Sequence, residues 1–112
     1  MKSYTDIEQS KKLAKFLPTE SADMGYLWNG TYFCEYPVSN QTIFKKVENI
    51  PCWSMVALLS ILPEPSLIQN QEGSWMLRIY DNKRFLYSVG GYDNPIDACY
   101  EMIIKINKQK LL

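Results

Sequence analysis

The sequence predicts an α+β fold in which a small antiparallel sheet packs with three helices. Three observations predict it: amphipathic helical spacing near both ends, an almost wholly apolar segment in the middle, and two pairs of alternating segments joined by turn residues. Two hairpins, about four strands in all, would share one sheet in the order α-ββ-α-ββ-α. A chain of 112 residues has the usual size of one domain. Residues 1–112 are therefore predicted to form a single α+β domain.

Composition and charge narrow the class of partner. The chain has twelve basic and twelve acidic residues and no net charge. Nucleic-acid binders usually have a basic surplus, so we expect no nucleic-acid partner. The longest apolar run, Met55–Leu62, is too short to span a bilayer, and the first residues lack the apolar stretch of a signal peptide. We expect a cytoplasmic protein with no membrane association.

The first helix is predicted from Asp6 to Leu17. Thr5 and Glu8 have the spacing of a capping box, in which each side chain accepts a hydrogen bond from a free amide of the other residue. The apolar residues fall within about half of the helix circumference on a 3.6-residue wheel. Pro18 ends the helix.

The first hairpin is predicted around Asn29-Gly30. This dipeptide favours the two positive φ angles of a type I′ turn. Its strands are placed at about Met24–Trp28 and Thr31–Tyr36, and Pro37 ends the second strand. Residues 38–49 are polar with little periodicity and are predicted to be mostly loop.

The central helix follows, with Ser54 as its N-cap and Pro63 as its end. Its residues are apolar almost all round, which predicts a short buried helix. A connecting loop over Glu64–Gly73 comes next.

The second hairpin is predicted from Ser74–Tyr80 and from the alternating residues Phe85, Tyr87 and Val89, with a turn between them. Side chains alternate between the two faces of a strand. Alternation places Trp75, Leu77 and Ile79 on one face and Met76, Arg78 and Tyr80 on the other.

The last helix has the most consistent local signals. Asn94 is the predicted N-cap, Pro95 is at the favoured first position, and Asp97 places a negative charge in the first turn. The predicted apolar face consists of Ile96, Cys99, Tyr100, Ile103 and Ile106.

Few residues suggest catalysis. The chain has no histidine, which excludes Ser-His-Asp and Cys-His catalysis. Its three cysteines form no Cys-x-x-Cys pair and are predicted to be core residues. Asp93, Asp97 and Glu101 recur every four residues and leave a carboxylate-based hydrolase as a remote alternative, but a loop, a helix N-terminus and a pairing with Lys105 explain them. We therefore expect no enzyme and predict no catalytic, metal or cofactor residues.

Two candidate surfaces for a partner or ligand remain. Tyr32 and Tyr36 would share one strand face with Trp28 nearby. If that face is exposed, its rings suit a partner or a stacked ligand; if it is covered, they are core. Gly90 and Gly91 precede a helix N-terminus and either cradle an anion or form a flexible strand-to-helix turn.

Four segments resemble a group of small proteins of unassigned activity that are carried by prophages and mobile elements of gut anaerobic bacteria. They are Ser10–Ala14, Glu20–Met24, Ile50–Leu59 and Tyr92–Ile103, the last with the Tyr-Asp-Asn-Pro-x-Asp-Ala stretch. The resemblance implies an accessory cytoplasmic protein that binds rather than catalyses. We therefore expect a non-catalytic module that binds another protein or itself, with a small-molecule or anion binder as the alternative.

Overall fold

The predicted α+β class is confirmed by the computed structural model, which describes residues 2–39 and 48–109. Within these ranges, three α-helices accompany a two-stranded and a three-stranded antiparallel sheet. Residues 40–47 of the predicted loop 38–49 lie outside the described residues. The elements in chain order are α1 (Ile7–Ala14), a 3₁₀ turn (Thr19–Ser21), β1 (Met24–Tyr26), β2 (Ile50–Cys52), α2 (Met55–Ile61), β3 (Ser66–Gln69), β4 (Trp75–Asp81), β5 (Arg84–Tyr92) and α3 (Pro95–Lys108).

The chain divides into two compact units, and the division falls inside α2. The N-terminal unit is Tyr4–Ala57; the C-terminal unit is Leu58–Leu112 together with Met1–Ser3. The expectation that residues 1–112 form a single domain stays a prediction.

In the N-terminal unit, α1 begins one residue later than predicted. The Asp6 carboxylate accepts a hydrogen bond from the Gln9 amide at 2.8 Å, and the Gln9 side chain accepts one from the Asp6 amide at 3.1 Å. The predicted capping pair of Thr5 and Glu8 is therefore wrong, because Thr5 is buried and bonded elsewhere. The helix ends at Ala14 instead of the predicted Leu17. The residues after it form a turn, in which the Leu17 amide donates to the Leu13 carbonyl at 2.8 Å.

The strand pairing of this unit also differs from the prediction. β1 pairs antiparallel with β2, with Gly25 opposite Pro51, instead of with Thr31–Tyr36. Asn29 does not adopt the positive φ that a type I′ turn requires, and its side chain instead accepts from the Thr31 and Tyr32 amides at 2.9 and 3.0 Å. A single bridge between Trp28 and Phe33 remains of the predicted hairpin. The predicted single sheet is thus replaced by two sheets.

In the C-terminal unit, the second predicted hairpin is confirmed as β4 and β5, paired antiparallel. Its turn residues Asn82 and Lys83 have φ of 50° and 68°, the positive values of a type I′ turn. The Glu64 carboxylate accepts a hydrogen bond from the Lys83 amide at 3.1 Å. β3 adds a third strand on the other side of β4, within the segment that was predicted as a connecting loop.

The last helix, α3, is confirmed with its predicted cap. The Asn94 side chain accepts from the Asp97 amide at 2.8 Å, and Pro95 is the first helical residue. All five residues of the predicted apolar face are buried. The helix packs on β4 and β5, where the inward side chains Leu77 and Ile79 are fully buried.

Candidate functional site

Three large aromatic side chains in the N-terminal unit are exposed: Trp28 by 38%, Tyr32 by 63% and Tyr36 by 67%. The sequence did not decide whether these three side chains are exposed or buried. We call these three residues the loop surface, because the segment from Asn29 to Tyr36 is not a regular strand. The expected shared strand face of Tyr32 and Tyr36 is therefore not formed, although both rings face solvent.

A neighbouring ring anchors the loop surface to the core of its unit. The ring centroids of Trp28 and Phe33 are 4.8 Å apart with a 59° tilt. Phe33 is half-buried and packs against the buried cluster of Tyr26, Ile50 and Cys52. The contact with Phe33 therefore connects the exposed Trp28 ring to the buried cluster.

Backbone hydrogen bonds hold the same segment at several points. The Trp28 amide donates to the Asn49 side chain at 2.8 Å, and the Cys34 amide donates to the Leu27 carbonyl at 2.9 Å. Gly25 and Val38 exchange two further bonds of 2.8 and 2.9 Å. The exposed rings therefore belong to a segment whose backbone is held by hydrogen bonds.

Lys11 of α1 adds a cation beside the Phe33 ring. Its Nζ lies 5.9 Å from the Phe33 ring centroid, within the range of a cation–π contact. A positive charge thus lies next to the ring that supports the loop surface.

Gly90 and Gly91 lie inside β5 and form a β-bulge, instead of a flexible turn between the strand and the helix. Trp75 pairs with Tyr92 and Leu77 with Val89, so β5 has one extra residue over this stretch. Gly91 has a φ of 85°, which suits a bulge glycine. The bulge explains Gly91 structurally; the ligand role of both glycines stays a prediction.

The C-terminal unit has a second exposed surface, which we call the open sheet face. It is the side of β3, β4 and β5 turned away from α3 and carries the side chains of Ser66, Ile68, Met76, Arg78, Tyr80, Phe85 and Ser88. Phe85 is 58% exposed and Ile68 40% exposed. A groove of about 330 Å³ is lined by Arg78, Tyr80, Phe85 and Ser88.

Sequence reasoning assigned Met76, Arg78 and Tyr80 to one face but did not identify that face as a site. The missing information was the strand register, which places Phe85 opposite Tyr80, with ring centroids 6.1 Å apart at 67°. The alternation of side chains along β4 was the signal that separates the two faces of the sheet. Alternation alone does not show which of the two faces is covered by a helix.

A buried polar cluster in the N-terminal unit centres on Thr5. Its hydroxyl lies 2.7 Å from the Ser10 hydroxyl and accepts from the Trp53 amide at 3.1 Å. The Tyr26 hydroxyl donates to the Thr5 carbonyl at 2.8 Å. Burial raises the pKa of the Cys52 thiol and of the Tyr26 phenol, so both stay protonated at neutral pH. The cluster therefore links the start of α1 to β1 and β2.

Three further reactive groups, Asp97, Ser54 and Cys99, are also hydrogen-bonded or buried. The two oxygens of Asp97 accept from Lys2 Nζ and from the Asn94 amide group, each at 2.9 Å. The Ser54 hydroxyl donates to Asp23 and accepts from the Ala57 amide at 3.3 Å, which confirms Ser54 as the N-cap of α2. Burial raises the pKa of the Cys99 thiol to about 12. Within residues 2–39 and 48–109, no group of three or more His, Cys, Asp or Glu side chains is placed to hold a metal ion.

Comparison with protein-family models, with curated proteins and with solved structures gave no match. Among the described residues, no helix combines the length and the apolar character needed to cross a membrane. The geometry of the two exposed surfaces is therefore the basis for assigning a function.

Proposed function

We propose that this protein is a non-catalytic module that binds another protein through the loop surface. The observation that supports it is the exposure of Trp28, Tyr32 and Tyr36 on a segment fixed to the core. Tryptophan and tyrosine are enriched among the residues that dominate binding energy at protein interfaces. Their rings bury a large area and lose few torsional freedoms.

The state of the reactive groups supports a role without catalysis. Burial raises the pKa of the Cys52 and Cys99 thiols, so neither is a thiolate at neutral pH. Asp97, the central residue of the carboxylate series, is held by Lys2 and Asn94. These bonds give the carboxylate a structural use at the start of α3.

The setting we propose is an accessory protein of a mobile element, acting in the cytoplasm. The resemblance of the Ile50–Leu59 and Tyr92–Ile103 segments to prophage-borne proteins supports it. The zero net charge also removes the repulsion between copies, so a second copy of this chain belongs among the protein partners to test.

Removing the phenol rings of the loop surface tests the proposal. In a Tyr32→Ser, Tyr36→Ser double variant, we expect capture of the specific partner from host lysate to fall at least about tenfold, because truncating interface hot spots costs 2 kcal/mol or more. Isotope-labelled mass spectrometry measures the capture. Sedimentation of the purified protein shows whether the partner is a second copy.

Val56→Ser is the matched control. Val56 is 72% exposed on α2 of the same unit and lies outside the loop surface, so this variant should capture as much as the wild type. Equal capture by the wild type, the double variant and Val56→Ser would reject the loop surface as the binding site. A strictly monomeric wild type that enriches no protein would reject the binding function.

A small-molecule binder remains the second candidate. The C-terminal unit has a groove of about 300 Å³ with apolar walls and one carboxylate, that of Asp81. Its apolar lining consists of Pro63, Ile79, Leu86 and Ile106. This volume is at the lower end for ligand sites. A thermal-shift screen tests it, since a ligand at ten times its Kd stabilises the folded state by about 1.4 kcal/mol.

A further inference from the structure

The open sheet face of the C-terminal unit combines exposed apolar side chains with an exposed arginine. From it we infer a second, separate binding site, for a peptide segment that presents an apolar side chain next to a carboxylate. This site is independent of the proposed function, because its residues belong to the other compact unit.

The first support is the exposure of apolar groups on this face. α3 covers the opposite face, where Leu77 and Ile79 are fully buried. On the open side, Phe85 and Ile68 are 58% and 40% exposed, with the half-buried Tyr80 beside Phe85. Contact with an apolar side chain of a partner would remove these groups from water.

The second support is Arg78, which lines the same groove. It is exposed, and within the described residues its guanidinium forms no ion pair and no hydrogen bond. A guanidinium presents its donors in a planar fork that matches a carboxylate. An arginine that has no partner among the described residues and lies next to two aromatic rings therefore selects a ligand with an anionic group close to an apolar one.

The charge of the face argues against two other occupants, a symmetric second copy and nucleic acid. None of the seven side chains of the open sheet face is acidic, so a second copy related by twofold symmetry would bring no carboxylate to Arg78 from this face. Nucleic acid needs several cations along its phosphates, and this face has one.

The shape of the groove also favours a peptide over a small molecule. Three of its four lining residues, Arg78, Phe85 and Ser88, are exposed. Pockets for small molecules enclose most of the ligand surface. A segment lying across the strands can instead place one side chain on Phe85 and the next on Arg78.

Selection from a phage-displayed library of random twelve-residue peptides on the full-length protein tests this inference. We expect enrichment of peptides with Asp or Glu beside an aliphatic or aromatic residue. A selected peptide, measured by fluorescence anisotropy, should bind R78E and F85S at least about tenfold more weakly than the wild type, because a charge-assisted pair or an apolar contact is lost. A peptide with Lys in place of its acidic residue should bind R78E better than it binds the wild type.

R84E is the matched control. It changes the net charge as R78E does, but strand alternation places residue 84 on the other side of the sheet from Phe85, so binding should be retained. The Tyr32→Ser, Tyr36→Ser variant should also retain binding, which separates this test from that of the proposed function. If R78E fails to fold by circular dichroism, R78Q repeats the measurement without adding a charge.

Two results would overturn the inference. The first is a selection in which acidic residues are not enriched. The second is that the selected peptides bind R78E and F85S as tightly as they bind the wild type. A twelve-nucleotide oligothymidine that binds the wild type but not R78E would reassign the face to nucleic acid. A dimer in sedimentation that R78E dissociates would reassign it to a second copy.

Discussion

At the scale of single residues, Asn94 shows how far local sequence can predict a structure. Its cap bond to Asp97 and the Pro95 that follows were all predicted, because every partner lies within one helical turn. Thr5 shows the limit. Thr5 and Asp6 are both good caps, and only the burial of Thr5 against the Trp53 backbone, 48 residues away, decides between them.

Graded substitutions at Asn94 should separate its two bonds. Asn94→Ala removes both the cap acceptor and the donor to Asp97, and we expect a loss of roughly 1 kcal/mol of unfolding free energy. Asn94→Ser keeps a cap acceptor and should lose less. Urea titration measures both. An alanine variant as stable as the wild type would contradict the capping role, and one that also loses partner binding would make this turn a functional site.

At the scale of elements, the two hairpins had similar sequence signals and opposite outcomes. Asn29-Gly30 has the stronger turn signal, but β1 pairs with β2 from much later in the chain. The type I′ positive φ values occur instead at Asn82-Lys83, where the strands on both sides pair along their length. Pairing with a distant strand depends on burial that a local pattern does not record. β3 pairs locally with β4, and it was missed because its four residues, Ser66–Gln69, do not alternate between apolar and polar.

The two glycines of the β5 bulge should respond differently to alanine. Gly91→Ala should lower the unfolding free energy by about 1–2 kcal/mol, because a φ of 85° is strained for a residue with a Cβ. Gly90 is the internal control: its φ is not positive, and an added Cβ would meet Met76 at an ordinary 3.6 Å. Gly90→Ala should leave stability unchanged or raise it by up to about 1 kcal/mol. Equal losses in the two variants, measured by urea titration, would contradict the bulge interpretation.

At the scale of the whole molecule, binary patterning predicted the α+β class, the order of the three helices and the second of the two hairpins. It predicted the faces of β4 as well, since Leu77 and Ile79 are buried and Arg78 is exposed. The candidate sites were harder to predict. Patterning named Tyr32 and Tyr36, but whether a ring lies in the core or in solvent depends on which element covers it.

Unfolding should proceed in one step if the chain is a single domain, as its length predicts. Ile103→Ala in α3 should cost about 2–5 kcal/mol, because the side chain is fully buried. In a Trp75→Phe background, the remaining tryptophans, Trp28 and Trp53, report only on the N-terminal unit. Trp75 is a suitable choice, since its indole N–H is buried with no partner among the described residues.

The expected result is that Ile103→Ala lowers the urea midpoint of this fluorescence together with that of the circular dichroism. The physical reason is that the division between the units falls inside α2, and a helix cut there would lose backbone hydrogen bonds. An unchanged fluorescence midpoint would show instead that the two units are separate domains.

The irregularity of β5 has a consequence for how the protein behaves at high concentration. Besides the bulge at Gly90 and Gly91, the pairings of Ile79 with Tyr87 and of Tyr80 with Phe85 leave Leu86 as another extra residue. A strand interrupted twice is a poor template for an incoming strand, whereas a long flat edge invites fibre growth. The β5 edge can therefore carry the exposed Phe85 ring without offering neighbouring copies a regular strand on which to polymerise.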